Sequence, residues 1–369
     1  MIYLDYQATT QVAPEVADAM EPWVSKHFAN PHSPSREGRR AAAAIEIARE
    51  EVARLVAGGF GRLAFTSGAT EALNWALKGS LEGSHRRKLV TIATEHAAIL
   101  DTAEWLEGQG VEVVRLPVLQ DGVIDLDVAE AAIDDRTAIV AAMLVNNEIG
   151  VIQPIAELAR LSHERGALML CDAVQGFGRM LIPGGPDLVA LSAHKIHGPK
   201  GVGALWMRDG CQPAPLLHGG GQEQGLRSGT LSPALCVGFG AAAALAGKRL
   251  IDDSIHLECL WTAARGALSP EWQLNGSAEA RYHGNLNLSR PGLDAARLLS
   301  DCRDIAFSLG SACASGSGRP SHVLRALGLD ASSVRGSIRL GFGRYTSEEE
   351  LVLACSRLNE AAHAQRVPA

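Results

Sequence analysis

An α/β fold with a mostly parallel sheet, followed by a smaller α+β unit, is predicted by three observations. Short apolar runs alternate with helix-like stretches from about residue 60 to residue 206. Several of these runs end in polar residues, at a spacing that leaves room for a crossover helix. Beyond about residue 241 the rhythm changes, and a long helical stretch precedes three further strands and three helices. In sheets of this kind ligands sit beyond the carboxyl ends of the strands, so the strand-end polar residues are where chemistry is expected.

Residues 1–13 are extended, with a turn at Asp5-Tyr6-Gln7-Ala8-Thr9-Thr10. Residues 30–33 form a polar loop, and Ser35 opens an alanine-rich helix that Gly58-Gly59 stops. A strand over 62–66 leads through residues 67–70 into a helix over 71–78. A strand over 89–93 ends at Glu95-His96, with a helix over 97–108. Strands follow at 111–116, 139–145 and 167–171, the last preceded by a helix over 155–165. Residues 186–206, PDLVALSAHKIHGPKGVGALW, read as a buried strand, a polar elbow, a glycine-proline turn and a returning strand. The later unit has a helix over 245–267, strands at 285–288, 305–308 and 337–341, and helices at 293–302, 321–327 and 348–364. A boundary near Gly247 divides a large unit, 14–247, from a smaller one of 1–13 and 248–369.

A chain of 369 residues, 47% hydrophobic and 20% charged, can bury a full core. Its formal charge of −7 argues against nucleic-acid or anionic-membrane partners. The start, MIYLDYQATT, lacks a secretory pattern, and the apolar run 237–246 is too short to span a bilayer. Seven cysteines without a C-x-x-C pair fit neither a disulfide framework nor a zinc site, and no metal ligand set is read; a reducing cytoplasm is expected. The dinucleotide, P-loop and serine-hydrolase signatures are missing.

The elbow carries Ser192, His194 and Lys195. A lysine that follows a buried strand has little water around it and a lowered pKa, so its neutral amine is a nucleophile. Schiff-base formation with pyridoxal phosphate is the commonest use of such a lysine. That cofactor also needs a phosphate cradle, an acid for its pyridine nitrogen and a group to stack on its ring. Residues 67–70 supply a candidate cradle, with backbone N–H groups including that of Ala69 and the Thr70 hydroxyl at a helix's positive end. His96 stands at a strand end, where it can stack on a ring and move protons. Asn147 ends the next strand. Asp172 closes an apolar strand, with Gln175 three residues on, and a buried carboxylate there needs a cationic partner such as a pyridinium. Cys313 lies among small residues that no core would hold, which suggests a thiol reagent on a mobile loop. Arg339 could clamp a substrate carboxylate. Each has an ordinary alternative: a helix cap for residues 67–70, a structural histidine, a strand-end turn, a salt-bridged aspartate, a strand arginine reaching solvent.

Taken together, the motifs SGATE (67–71), TEHAA (94–98), VNNEIGV (145–151), SAHKIHGPKG (192–201), RSGTL (227–231) and GSACASG (310–316) closely resemble those of the pyridoxal-phosphate cysteine desulfurases of the NifS/IscS type, in the class V aminotransferase group. The resemblance runs from Tyr3 to Arg344. It implies the fold type I architecture of aspartate aminotransferase, with a mostly parallel seven-stranded sheet and a smaller α+β unit carrying the cysteine loop. By position, Lys195 matches the cofactor-bearing lysine, Asp172 the partner of the pyridine nitrogen, and His96 the ring-stacking acid/base. Asn147 and Gln175 match positions near the phenolic oxygen, Asn147 also facing the substrate. Thr70, Ser192 and His194 match phosphate ligands, and Thr230 one contributed by a neighbouring subunit, so a homodimer with shared active sites is implied. Cys313 matches the nucleophile and Arg339 the arginine for the substrate carboxylate.

The implied reaction takes L-cysteine to L-alanine, with Lys195 moving the α-proton and the Cys313 thiolate attacking the substrate sulfur to leave a persulfide for an acceptor protein. Only 25 residues follow Arg344, without the long tail by which IscS-type members hold an iron–sulfur scaffold, so the acceptor is left open between an iron–sulfur scaffold, a tRNA-thiolation relay and another sulfur carrier. A C–S lyase, selenocysteine lyase or aminotransferase that does not require Cys313 stays open, as does a non-catalytic sulfur-transfer partner.

Overall fold

The computed structural model describes residues 1–56, 59–309 and 320–365. The chain enters through β1 (Ile2–Tyr3) and then lays down seven strands of one sheet. They are β2 (Gly61–Thr66), β3 (Lys88–Ile92), β4 (Glu112–Leu116), β5 (Thr137–Met143), β6 (Leu168–Asp172), β7 (Leu188–Ser192) and β8 (Gly203–Arg208). In space the order is β2-β8-β7-β6-β5-β3-β4. Parallel neighbours need crossovers, and the helices Ala69–Leu81, Ala97–Glu107, Leu126–Ala132 and Ile155–Glu164 supply them. The central strands β5, β6 and β7 are apolar except at their terminal residues because both faces are covered. Met169 and Cys171 of β6 pack into one core with Phe65 and Phe239, while Leu170 between them packs into the opposite one with Leu73 and Leu205.

β8 is the exception to the parallel pattern. The short connection 193–202 lets it return beside β7, and it runs antiparallel to both β7 and β2. Its first residue, Gly203, pairs with Thr66 on one side and Ser192 on the other. The carboxyl ends of β2 and β7 are therefore fixed one strand apart, and the segments that follow them emerge side by side.

A second sheet, ordered β12-β13-β10-β9, is built from β9 (Gln273–Leu274), β10 (Asn285–Ser289), β12 (Ser308–Leu309) and β13 (Ser337–Gly341), with antiparallel pairing throughout. β11 (Ile305–Ala306) instead pairs with β1, parallel. The single strand expected at 305–308 is thus split at Phe307, whose buried side chain joins the core of this unit. That core holds Leu4, Leu286, Leu340 and Leu358.

The helix Pro233–Ala267 enters both cores: Phe239, Ala242 and Ala246 belong to the first, Leu257, Leu260 and Ala264 to the second. It begins twelve residues earlier than expected, because Ser232 caps it and Pro233 fits its first position. The apolar run 237–246 lies inside it, and this helix is long and apolar enough to cross a bilayer. Its small residues have a packing reason, since a Cβ on Gly240 would fall 2.6 Å from Ala48 Cα in the helix Arg36–Arg54.

Candidate active site

A cavity of about 440 Å³ opens at the carboxyl ends of the parallel strands. Ala69, Thr70, His96, Asn147, Asp172, Gln175, Ser192, His194 and Lys195 all line it. The fold brings them there from the ends of β2, β3, β5, β6 and β7, residues separated by up to 126 positions in the chain.

The helix Ala69–Leu81 starts two residues earlier than the sequence suggests, with Gly68 at its cap and no side chain accepting from its first turn. Those N–H groups are left to face the cavity with the helix's positive end behind them. β8 approaches the turn so closely that a Cβ on Gly203 would sit 2.6 Å from the Gly68 carbonyl carbon. Glu71 braces the turn from below, accepting from Ser67 N at 2.8 Å. It also pairs with Arg227, Nε to Oε1 2.8 Å. Arg227 is therefore bound to Glu71, and the loop it anchors holds Thr230 exposed and outside the cavity lining.

Asp172 is 5% exposed, and its Oδ1 accepts from Val174 N at 3.0 Å. Burial raises its pKa, partly offset by Val174 N and by the positive ends of His96 and Lys195. Among the described residues it has no ion-pair partner, so a cation placed against it would favour its charged form. Behind it Glu95 is fully buried, which pushes its carboxyl well above the usual range, and its Oε1 accepts from Met143 N at 2.8 Å. His96 caps the helix Ala97–Glu107, its Nδ1 accepting from Ala98 N at 3.0 Å. In the neutral ring the proton is then on Nε2.

Lys195 Nζ donates to Gln7 O at 2.6 Å and to Ala8 O at 2.7 Å. Burial lowers its pKa to about 7, with the Arg179 and Arg339 charges adding and Asp5 and Asp172 opposing. The neutral amine is therefore accessible near neutral pH. His194 Nδ1 lies 3.1 Å from Thr9 Oγ1, and burial beside Lys195 and Lys200 holds its ring down to about 4. Gln175 Nε2 donates to Gln7 O at 3.0 Å.

Arg339 stands apart from the cavity lining. Its Nη2 donates to Asp5 Oδ1 at 2.7 Å and Ser308 Oγ at 2.9 Å, and its Nη1 to Asn147 O at 2.9 Å. It does not reach for solvent, and its Nε is buried with no partner among the described residues. Cys313 lies outside the described residues.

The N-terminal segment is what sequence reasoning missed. Gln7 lines the cavity and its carbonyl receives both Lys195 and Gln175. The turn at residues 5–10 was legible as a turn, but its partners lie far along the chain.

These residues fit pyridoxal phosphate on three structural counts. The uncapped first turn of a helix faces the cavity, a buried carboxyl there has no ion-pair partner among the described residues, and a lysine amine with a lowered pKa shares the space.

Residues 2–353 match the class-V aminotransferase family. The chain is 43% identical to the cysteine desulfurase IscS of Rickettsia bellii, over 97% of this chain and 91% of that one. Among solved structures, a NifS-like protein superposes with a TM-score of 0.91 at 33% identity, covering 97% of this chain and 98% of the other. SspA in complex with cysteine gives 0.84 at 33% identity, covering 94% and 100%. The chain belongs to the class-V aminotransferase family, among its cysteine desulfurases of the NifS/IscS type.

Proposed function

We propose that this protein is a pyridoxal-phosphate-dependent cysteine desulfurase, converting L-cysteine to L-alanine and passing the sulfur through a persulfide on Cys313 to an acceptor protein. The observation that carries the reading is the meeting of the Lys195 amine, the Asp172 carboxylate and an uncapped helix N-terminus at one cavity.

Pyridoxal phosphate, when bound, supplies an electron sink for the charge left at the substrate Cα as its proton is removed. The first-turn N–H groups around Ala69, with Thr70, Ser192 and His194, would hold its phosphate. Asp172 would face its ring nitrogen, His96 its ring face, and Asn147 and Gln175 its phenolic oxygen. An amine titrating near 7 is suited both to take the Cα proton and to return one, so Lys195 Nζ acts as base and then acid. Arg339 would bind the substrate carboxylate in exchange for Asp5, beside Asn147. The Cys313 thiolate attacks the substrate Sγ: an S–S bond forms, the Cβ–Sγ bond breaks, and its electron pair takes a proton at Cβ. Cysteine plus enzyme thiol thus become alanine plus enzyme persulfide, with no external oxidant or reductant.

In this reading residues 14–247 form the cofactor-binding unit, and 1–13 with 248–369 the unit that carries the Cys313 loop. The exposed Thr230 would reach the phosphate site of a second copy, making a homodimer with shared sites. The net charge of −7 and the scattered cysteines support action in the cytoplasm, away from nucleic acid and membranes, with a scaffold or sulfur carrier as acceptor. The test is alanine and sulfide release from L-cysteine with a thiol reductant, comparing the cofactor-loaded enzyme with Cys313→Ser. Equimolar products from the wild type and none from the variant are expected. A variant that retains its activity removes Cys313 from the mechanism.

A further inference from the structure

Arg179 stands four residues after Gln175, on the turn that leaves β6, and it faces the site from behind. Among the described residues its guanidinium binds only uncharged oxygens. Nη1 donates to Gln175 Oε1 at 2.7 Å, and Nη2 donates to Lys195 O at 2.6 Å and to Tyr6 O at 3.4 Å. The Tyr282 ring lies 5.4 Å away on its other side. Among the described residues no carboxylate is within ion-pair distance of it; Asp253, which borders the same small cavity, is committed to Arg344 and Arg249. A half-buried cation that forgoes a counter-ion and collects carbonyl oxygens from three separate segments is an arrangement with a cost, because the same burial could have been given to an ion pair.

Two consequences follow from that placement. The bond to Gln175 Oε1 decides which way the amide points: with its oxygen held by Arg179, its NH2 is turned to Gln7 O and the cavity. A reversed amide would present an acceptor where the phenolic oxygen of the cofactor is expected. The second consequence is electrostatic. A cation without its own anion, bonded to the Lys195 carbonyl, disfavours further positive charge on that residue's amine. Lys195 is also faced by Arg339, Asp5 and Asp172, and His96, His194 and Lys200 line the same cavity. Of all the charges acting on it, Arg179 contributes most to its lowered pKa.

We propose that Arg179 is a positioning residue for the reaction, which orients the Gln175 amide toward the cofactor ring and keeps a positive charge against the Lys195 elbow. The proposal rests on the reading of Lys195 as the cofactor-bearing lysine.

The experiment uses the cofactor-loaded enzyme and three variants, Arg179→Met, Arg179→Lys and Arg179→Gln, with Lys195→Ala as a reference. The readouts are the pH midpoint of the visible absorption band, kcat and KM for L-cysteine, and the melting midpoint. Arg179→Met is expected to move the absorption midpoint up by on the order of one pH unit and to lower kcat by roughly 10-fold, with KM within about 2-fold. Arg179→Lys, which keeps the charge but not the planar fork of donors, is expected to return the absorption midpoint to within a few tenths of a unit of wild type. Arg179→Gln, which keeps a donor and loses the charge, is expected to follow Met in absorption midpoint, and it replaces Met if that variant does not fold. An unshifted absorption midpoint in the neutral variants overturns the proposal, as does a Lys variant shifted as far as they are. Loss of the wild-type pH-dependent band in Lys195→Ala upholds the reading of Lys195 whatever Arg179 does; its persistence would sink that reading separately.

Discussion

Replacing Gly203 with alanine probes the contact that sets the spacing between the helix N-terminus at residue 69 and the Lys195 elbow. A Cβ there falls 2.6 Å from the Gly68 carbonyl carbon, 2.7 Å from Gly68 Cα and 2.6 Å from Leu191 O. All three are main-chain atoms, so no side chain can rotate out of the way. The backbone must open by about 0.8 Å before ordinary contact at 3.4 Å is regained. Overpacking of this kind costs about 1–3 kcal/mol, which lowers the melting midpoint by several degrees. Thr66 and Ser192 both pair with Gly203, so the displaced backbone is that of the cradle and the elbow themselves. A misplacement approaching 1 Å costs up to about 100-fold in a positioned site. The assay is the melting midpoint of the cofactor-free protein together with a titration of pyridoxal phosphate; both stability and affinity should fall. Gly68→Ala is the contrast. Its Cβ meets nothing within 4 Å, so the melting midpoint should hold while affinity falls, because the methyl stands where a phosphate must approach. A Gly203→Ala protein with wild-type melting and wild-type affinity would refute the reasoning.

Asp5→Asn leaves the Arg339 guanidinium, 9% exposed at its side chain, without its anion. The cofactor-free protein should lose about 1–3 kcal/mol, read as a lower urea midpoint at unchanged slope; no loss would mean the pair is neutral to folding. For Lys195, folding depresses the pKa from 10.5 to about 7, so between those values the unfolded chain binds more protons and stability rises with pH. The contribution is lost as pH falls toward 7. Lys195→Met should therefore be more stable than the cofactor-free wild type at pH 6.5, with the gap closing by about pH 10. A gap independent of pH would place the amine in water.

The cavity-lining residues legible in the sequence are those whose position is local. Lys195, Asp172 and His96 each follow an apolar run directly, and a strand end fixes where such a residue points. Ser232-Pro233 is an equally local signal for the start of the long helix, a cap followed by a proline at the first helical position. Gln7, Arg179 and Gly203 were not legible, because their partners are set by strand order. That β8 inserts between β2 and β7 cannot be read from either neighbour, and without it Gly203 has no contact with Gly68. Arg339 shows the same limit from another side: the carboxylate in its grasp belongs to Asp5, 334 residues away. The helix over residues 69–81 starts two residues before the sequence suggests because its cap is a glycine, which offers no capping side chain to recognise.

The helix Pro233–Ala267 is a structural member shared by two hydrophobic interiors. Its amino-terminal half closes the underside of the large sheet, and its carboxyl-terminal half lies in the second core. Neither interior can lose its packing without stripping one side of a rod that the other requires. The folding free energies of the two units are consequently joined through a single piece of backbone. A cut within this helix would therefore strip packing from both interiors at once.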